Sequence, residues 1–166
     1  MTGTYGNLVL RFIASAALLA TLFIGRLPEK ASAQTKTTAR KIFAQKLVET
    51  TRARHPESDE IGISAKTSRG CIGIASTDKT DIGGKCEKED SEPMRTGKPV
   101  VEKEKDGIDV SLPLHDSAGN LIGALGVGFK SEPGQTVASV ILQAQKIATE
   151  IEAKIPSKAK LFERSE

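Results

Sequence analysis

Two cysteines form the pair of residues whose chemistry the sequence predicts most directly. Cys71 and Cys86 are the only cysteines in the 166-residue chain, and an even number in an oxidising compartment indicates a disulfide bond. The bond would close a loop of about 15 residues and contribute about 3 kcal/mol. A metal-binding pair and a haem attachment are the alternatives, although Cys-x-x-Cys-His is missing and neither cysteine has a ligand-type neighbour at zinc spacing.

His115 stands directly before Asp116 at the predicted end of a strand. A histidine beside a carboxylate can act as a general base, a metal ligand or a pH sensor. Alternatively the two residues form a turn, in which the Asp116 carboxylate accepts a hydrogen bond from the backbone two residues on. His55, at a helix end before Pro56, is interpreted as structural because a helix C-terminus favours a cation.

An acidic stretch between residues 78 and 92 could in principle bind a cation. Calcium needs six or more oxygen ligands at defined offsets, but the spacing of an EF-hand loop is absent and lysines lie between the acids. The sequence therefore predicts a solvated loop and no metal site. The residues concerned, with one upstream neighbour, are Asp59, Asp78, Asp81, Glu87, Glu89, Asp90 and Glu92.

The sequence contains none of the common motifs that carry a nucleophile or bind a phosphate. Gly-x-Ser-x-Gly, His-Glu-x-x-His, the phosphate-binding loop and the dinucleotide fingerprint are all missing. With two histidines and two cysteines that are expected to be bonded, a catalytic triad is hard to assemble. We therefore expect a protein that is not an enzyme and has no cofactor.

Residues 1–33 have the pattern of a secretory signal peptide. Arg11 precedes an apolar run of 13 residues, 12–24, which suits a signal peptide and is shorter than the roughly 20 residues that cross a membrane. Ala31-Ser-Ala then offers a small-x-small cleavage site. The sequence predicts cleavage before Gln34 and a periplasmic or secreted protein, with an uncleaved N-terminal anchor as the alternative.

The predicted mature chain is nearly neutral and poor in aromatic residues. The formal net charge of +3 belongs to the whole chain, and its charges alternate in sign, so there is no basic stripe for nucleic acid. Trp and Tyr are missing from residues 34–166. Stacking platforms for bases and aromatic cages for quaternary amines are therefore excluded.

Hydrophobic periodicity predicts two terminal helices and five strands in an α+β fold. Short links between the strands indicate an antiparallel sheet, and both terminal helices could pack on one of its faces. We expect one domain over residues 34–156 and a charged tail over 157–166. The helices are predicted at 35–54, 88–96 and 135–155, the strands at 60–65, 71–76, 100–104, 108–114 and 121–129, and a loop at 78–90.

Several local strings lie within these elements. Gly73-Ile-Ala-Ser-Thr-Asp precedes Asp81-Ile-Gly, and Met94-Arg-Thr-Gly-Lys-Pro-Val leads into the third strand. Ser111-Leu-Pro-Leu-His-Asp-Ser-Ala-Gly-Asn-Leu-Ile-Gly-Ala-Leu-Gly-Val spans the last two strands. Together they resemble the extracytoplasmic PAS-like sensor domains of the Cache (PDC) family over about two thirds of the mature chain. The resemblance implies a five-stranded antiparallel PAS-like (Cache) sheet flanked by N- and C-terminal helices.

The resemblance also implies a small-molecule pocket between the sheet and the loop–helix insertion. The guanidinium of Arg95 could bind a carboxylate through two parallel N–H groups, which favours a small anionic metabolite such as an organic acid. Alternatively, Arg95 pairs with Glu92 or Asp90 on the surface. The polar residues that could line the pocket are Ser91, Arg95, Lys98, Ser111 and His115.

The chain departs from the family in one respect. Family members usually sit between transmembrane helices and drive an output domain, and this sequence shows neither a second span nor an output domain. A stand-alone, exported sensor module would act through a membrane receptor partner, and its long terminal helix could form a homodimer. The alternative function is a non-catalytic interaction or scaffold protein with a filled-in pocket.

Overall fold

A five-stranded antiparallel sheet organises the residues that the structure describes, 41–165. In this computed structural model the sheet order is β2-β1-β5-β4-β3, and every neighbouring pair is antiparallel. The five strands predicted from the sequence are therefore confirmed, whereas the predicted signal peptide, 1–33, lies outside the described residues. The strands are β1 (Ser58–Thr67), β2 (Gly70–Ser76), β3 (Val100–Lys103), β4 (Gly107–His115) and β5 (Leu121–Lys130).

Two helices, α1 (Phe43–Arg52) and α3 (Val137–Glu152), pack against one face of the sheet, while α2 (Lys88–Thr96) lies over the opposite face. A capping box begins α3: the Thr136 side chain accepts from the Ser139 N–H at 3.1 Å, and the Ser139 hydroxyl accepts from the Thr136 N–H at 3.1 Å. The predicted α+β class with flanking terminal helices is confirmed.

The period of two along the strands gives the sheet two different faces. Apolar side chains of β1, β4 and β5 point toward α1 and α3 and form the core, and each contributes roughly 1.5–3 kcal/mol through burial. The apolar stripe of α3 packs on this core, with Val140, Ala144 and Ile151 fully buried. The strand residues on this face are Ile61, Ile63, Val110, Leu112, Leu125, Val127 and Phe129.

The segment predicted as a charged tail packs onto the domain. After α3 the chain forms a 3₁₀ turn, Lys158–Phe162, in which Leu161 is fully buried. The backbone of Phe43 then donates to the Glu163 carbonyl at 2.7 Å, and that of Ser165 donates to the Lys41 carbonyl at 2.8 Å. Within residues 41–165, no helix combines the length and apolar character needed to cross a membrane.

Candidate functional site

A cavity of about 400 Å³ lies on the face of the sheet that is turned away from α1 and α3. The strands form its floor. Helix α2 and residues 77–87 form its sides. We call residues 77–87 the acidic wall. Its volume falls within the range of small-molecule sites, about 300–1,000 Å³. The fold therefore offers one face to the hydrophobic core and the other to a candidate ligand.

The floor of the cavity contains a row of carboxylates that crosses four strands. Glu60 of β1 and Asp109 of β4 are both paired in register with Gly128 of β5, and Glu102 of β3 is paired with Asp109. Neighbouring strands are about 4.8 Å apart. Because glycine stands between Glu60 and Asp109, no side chain from β5 separates them.

The next row of the floor is short of side chains. Gly62 of β1 and Ser111 of β4 both pair with Gly126 of β5. A Cβ atom built on Gly126 would meet no atom within 4 Å, so this position borders open volume. The volume of the cavity thus depends on glycine in the middle of the central strand, where an added Cβ atom would meet no clash.

The charges around the cavity are almost all negative. Among the described lining residues the only basic side chain is that of Lys85. The seven acidic residues that line the cavity come from three strands, the acidic wall and α2: Glu60, Asp81, Glu87, Glu89, Asp90, Glu102 and Asp109.

Two floor carboxylates hold their protons more tightly than they would in water. Burial and the neighbouring Asp81 raise the pKa of Glu60 to about 7, although the Ser76 hydroxyl donates to Glu60 at 2.8 Å. Burial also raises the pKa of Asp109, and the charges of nearby acidic side chains, Glu104 first, add to that effect. The structure records no hydrogen bond from residues 41–165 to the Asp109 carboxylate.

Three carboxylates at one end of the cavity could contact a metal ion. Glu60, Asp78 and Asp81 each offer an oxygen, and these oxygens lie within 4.8 Å of one another. Divalent hard cations prefer such ligands. Asp78 and Asp81 are exposed, and Asp78 is already engaged as the acceptor of the Thr80 N–H at 2.9 Å.

One of the five polar residues that the sequence suggested for the pocket lines this cavity, namely Ser111. Ser91, Arg95 and Lys98 are exposed residues on or just after α2. Arg95 forms an ion pair with Glu92, with Nε donating at 3.1 Å, which is the surface pairing that the sequence left as an alternative.

His115 lies toward α3 and does not line the cavity. Its Nδ1 atom is 3.0 Å from Oε1 of Glu152, and its backbone N–H donates to the same oxygen at 2.8 Å. Asp116 follows the turn interpretation, because its Oδ1 atom accepts from the backbone N–H groups of Ala118 and Asn120 at 3.0 and 2.9 Å.

The predicted disulfide is confirmed, since Cys71 and Cys86 are bonded. The bond joins the start of β2 to the residue that precedes the N-cap of α2. It therefore ties the far end of the acidic wall to the edge strand of the sheet.

Sequence reasoning missed most of the acidic floor. Its signal is an alternation in which every second residue of otherwise apolar strands is acidic, a serine or a glycine. If a helix is predicted to cover that side of the sheet, this alternation indicates a polar face that lines a cavity. Without such a helix it would indicate a face exposed to solvent. The floor residues concerned are Glu60, Gly62, Ser64, Asp109, Ser111, Gly126 and Gly128.

The sequence matches no protein-family model, and no curated protein is significantly similar to it. Among solved structures, the GAF domain of a two-component sensor histidine kinase from Bacillus halodurans is similar over 70% of this chain and 91% of its own, at 10% identity and a TM-score of 0.48. The type II free methionine-R-sulfoxide reductase from Thermoplasma acidophilum is similar over 73% and 93%, at 13% identity and a TM-score of 0.49.

A third similar structure is the inducer-binding domain of the PobR transcription factor from Acinetobacter, a double mutant in complex with 3-hydroxybenzoic acid. It covers 69% of this chain and 95% of its own, at 9% identity and a TM-score of 0.45. The assignment of this chain to the α+β class is based on its own sheet and helices and not on these similarities.

Proposed function

We propose that this protein is a sensor-type module that binds a small cation in the cavity over the sheet. The observation that carries the proposal is the cavity of about 400 Å³, whose described lining residues include seven carboxylates and a single lysine. A concave site of this size with converging polar groups is the usual form of a small-molecule site.

The negative charge of the cavity favours a cationic ligand over the anionic metabolite expected from the sequence. At 4 Å, two like charges repel by about 4 kcal/mol in an effective dielectric of about 20, and an organic acid in this cavity would meet several such charges. Arg95 and Lys98, which were expected to bind the acid, do not line the cavity, and Arg95 is paired with Glu92. A cation would instead offset the repulsion among the carboxylates.

The chemistry of the lining also favours one class of organic cation. Carboxylates and serine hydroxyls accept hydrogen bonds, so they suit primary and secondary ammonium groups, which donate N–H bonds. No aromatic side chain is among the described lining residues, and a quaternary ammonium group would lack the aromatic faces that usually bind it. We therefore infer an amine with at least one free N–H group.

Ligand-induced stabilisation tests the proposal, because a ligand that binds the folded state alone raises the melting temperature. Spermidine and putrescine should stabilise the full chain at low salt. Asp109→Asn should weaken this effect, whereas Asp106→Asn, which changes an exposed aspartate outside the cavity, should leave it intact.

Other probes in the same experiment separate the alternatives. Stabilisation by citrate but by neither amine would overturn the cation proposal in favour of the organic-acid ligand. Stabilisation by Mg²⁺ or Ca²⁺ alone would assign the site to the carboxylates of Glu60, Asp78 and Asp81. No response to any of these probes would support the scaffold alternative.

Export, action through a membrane receptor and Cache-type ancestry belong to the same proposal. Their support is the resemblance of the strings between residues 73 and 127, the pattern of residues 1–33, and a disulfide, which persists in oxidising compartments. N-terminal sequencing of protein recovered from the periplasm should begin at Gln34. Recovery of a cytoplasmic chain that begins at Met1 would contradict export.

A further inference from the structure

The acidic wall runs alongside the edge strand β2 and is held there by backbone hydrogen bonds. The Gly73 N–H donates to the Gly84 carbonyl at 2.9 Å, and the Gly83 N–H donates to the Gly73 carbonyl at 2.8 Å. Near the disulfide, the Cys86 N–H donates to the Cys71 carbonyl at 3.1 Å. The disulfide between these two cysteines then closes the end of the wall.

The wall has few other attachments to the fold. Every residue from 78 to 85 is exposed, and the one large apolar side chain among them, Ile82, is 43% exposed. A segment with few buried apolar contacts opens more easily than the core. The disulfide and these backbone hydrogen bonds hold the later part of the wall, while two hydrogen bonds between Thr77 and Ile61 hold its start.

The wall also carries a negative charge, on Asp81, that is repelled by the floor of the cavity. Asp81 faces Glu60 of the floor, and the Ser76 hydroxyl lies within hydrogen-bonding distance of both carboxylates. When both carboxylates are ionised they repel one another, and the repulsion pushes the wall away from the sheet. A cation between the two carboxylates would attract both and hold the wall against the sheet. The disulfide opposes the repulsion in another way, because it links the wall covalently to β2.

We propose that the Cys71–Cys86 disulfide is coupled to ligand binding: the bonded form holds the acidic wall against the sheet and completes the cation site, and reduction releases the wall and weakens binding. The inference rests on the proposed function. By linkage, a bound cation must protect the disulfide by the same factor by which the disulfide strengthens binding.

The reductant is a dithiol, which attacks the disulfide of the half-buried cysteines. One thiolate of the dithiol attacks a cysteine sulfur, which forms a mixed disulfide and releases the other cysteine as a thiolate. The second thiolate of the dithiol then breaks the mixed disulfide. The reductant leaves as a cyclic disulfide, and the protein gains two electrons and two protons as two thiols.

Hydrogen exchange tests the release of the wall without any ligand. We expect the amides of Gly83 and Cys86 to exchange about tenfold faster or more when dithiothreitol reduces the full chain. Amides of β4 and β5 serve as the internal control and should not change. Equal exchange of the wall amides in the oxidised and reduced protein would overturn the inference.

Binding of spermidine tests the coupling itself. We expect about tenfold weaker binding after reduction, within the usual 5–150-fold range of coupling, and the same loss in Cys71→Ser/Cys86→Ser. Gly73→Ala provides a second route, since its Cβ would lie 2.6 Å from the Asp81 carbonyl oxygen and displace the wall while the disulfide stays intact.

Reciprocity supplies the final check. Saturating spermidine should shift the ratio of reduced to oxidised dithiothreitol needed for half-reduction by the same factor as the change in affinity. Equal binding to the oxidised and reduced forms would overturn this inference and leave the proposed function standing. Failure of the oxidised protein to bind any cation would overturn the proposed function and the inference with it.

Discussion

Two glycines of β5 keep the acidic face of the sheet open, so that it encloses a cavity. Gly128 stands between Glu60 and Asp109, and a Cβ there would lie 2.8 Å from the Asp109 carboxylate. A Cβ at Gly126 would meet no atom within 4 Å. The first glycine allows close approach of a carboxylate, and the second leaves space for a ligand.

Gly126→Val should fill the cavity at little cost to the fold. Glycine in a strand is unfavourable by about 0.5–1 kcal/mol, so we expect equal or slightly higher stability in urea, together with loss of stabilisation by spermidine. Gly123→Ala is the contrasting variant, because its Cβ would lie 2.3 Å from the Ser64 carbonyl oxygen; it should lose stability. Retained spermidine binding in Gly126→Val would contradict the assignment of the site.

Glu60 should titrate near neutral pH. Burial and the adjacent Asp81 raise its pKa to about 7, above the ordinary 4.5, so the folded state holds this proton more tightly than the unfolded chain does. The resulting stabilisation is fully present below pH 4.5 and is lost as the pH rises through about 7. Carboxyl-carbon NMR of the Glu60 side chain would measure the midpoint directly.

Asp81→Asn removes the like charge and should lower the pKa of Glu60. The fall in stability between pH 4.5 and 7 should become shallower in the same variant. Asp106→Asn, at an exposed turn, is the control and should leave the Glu60 titration unchanged. An unchanged midpoint in Asp81→Asn would show that burial alone sets the pKa.

The helices and strands could be predicted because their signals are local. The stripe of α3 and the alternation of the β1–β2 hairpin can each be recognised within a single segment. The row formed by Glu60, Gly128 and Asp109 depends instead on the register of three strands that are distant in sequence. An irregularity of register between Ser58 and Glu60 helps to set that row, and no local pattern reveals it.

Whether a proposed site residue lines the cavity depends on the direction in which its side chain points. A motif of turns and strands does not specify that direction. Residues three apart on a helix are neighbours, and this spacing lets Arg95 pair with Glu92 on the exposed side of α2. Ser111 could be predicted because the period of two fixes its face once β4 is assigned. For the disulfide, an even number of cysteines and the expected compartment were sufficient.

The end of α1 is fastened to α3 through one carboxylate. Lys154, His55 and Arg54 all donate to Glu150 and lower its pKa to about 2. Glu150→Gln should cost about 1 kcal/mol at pH 7, as expected for a partly exposed network. Because the pKa is depressed, the difference from the wild type should disappear as the pH falls from 4.5 toward 2.

Urea unfolding at a series of pH values would measure this dependence. Glu132→Gln changes an exposed glutamate before α3 and should give the wild-type profile. A Glu150→Gln deficit that stays constant down to pH 2 would show that lost packing, and not charge, causes the effect.

The two ends of the described domain stabilise each other. Leu161 is fully buried, while the neighbouring Phe162 is 41% exposed. Leu161→Ala should therefore lower the free energy of unfolding by about 2–5 kcal/mol, whereas Phe162→Ala should change it little. Urea denaturation of the matched pair measures both effects. Equal effects from the two variants would contradict the docking of the 3₁₀ turn on the core.

The same docking determines how the fold would respond to mechanical load. Lys41 and Ser165 are the first and last described residues, and beside them Ile42 and Arg164 form an antiparallel bridge. A force applied between these two points would pull apart adjacent antiparallel segments, so their hydrogen bonds would break one after another and not together. Extension would begin at this bridge and peel away the 3₁₀ turn and α1 before it loaded any of the five strands.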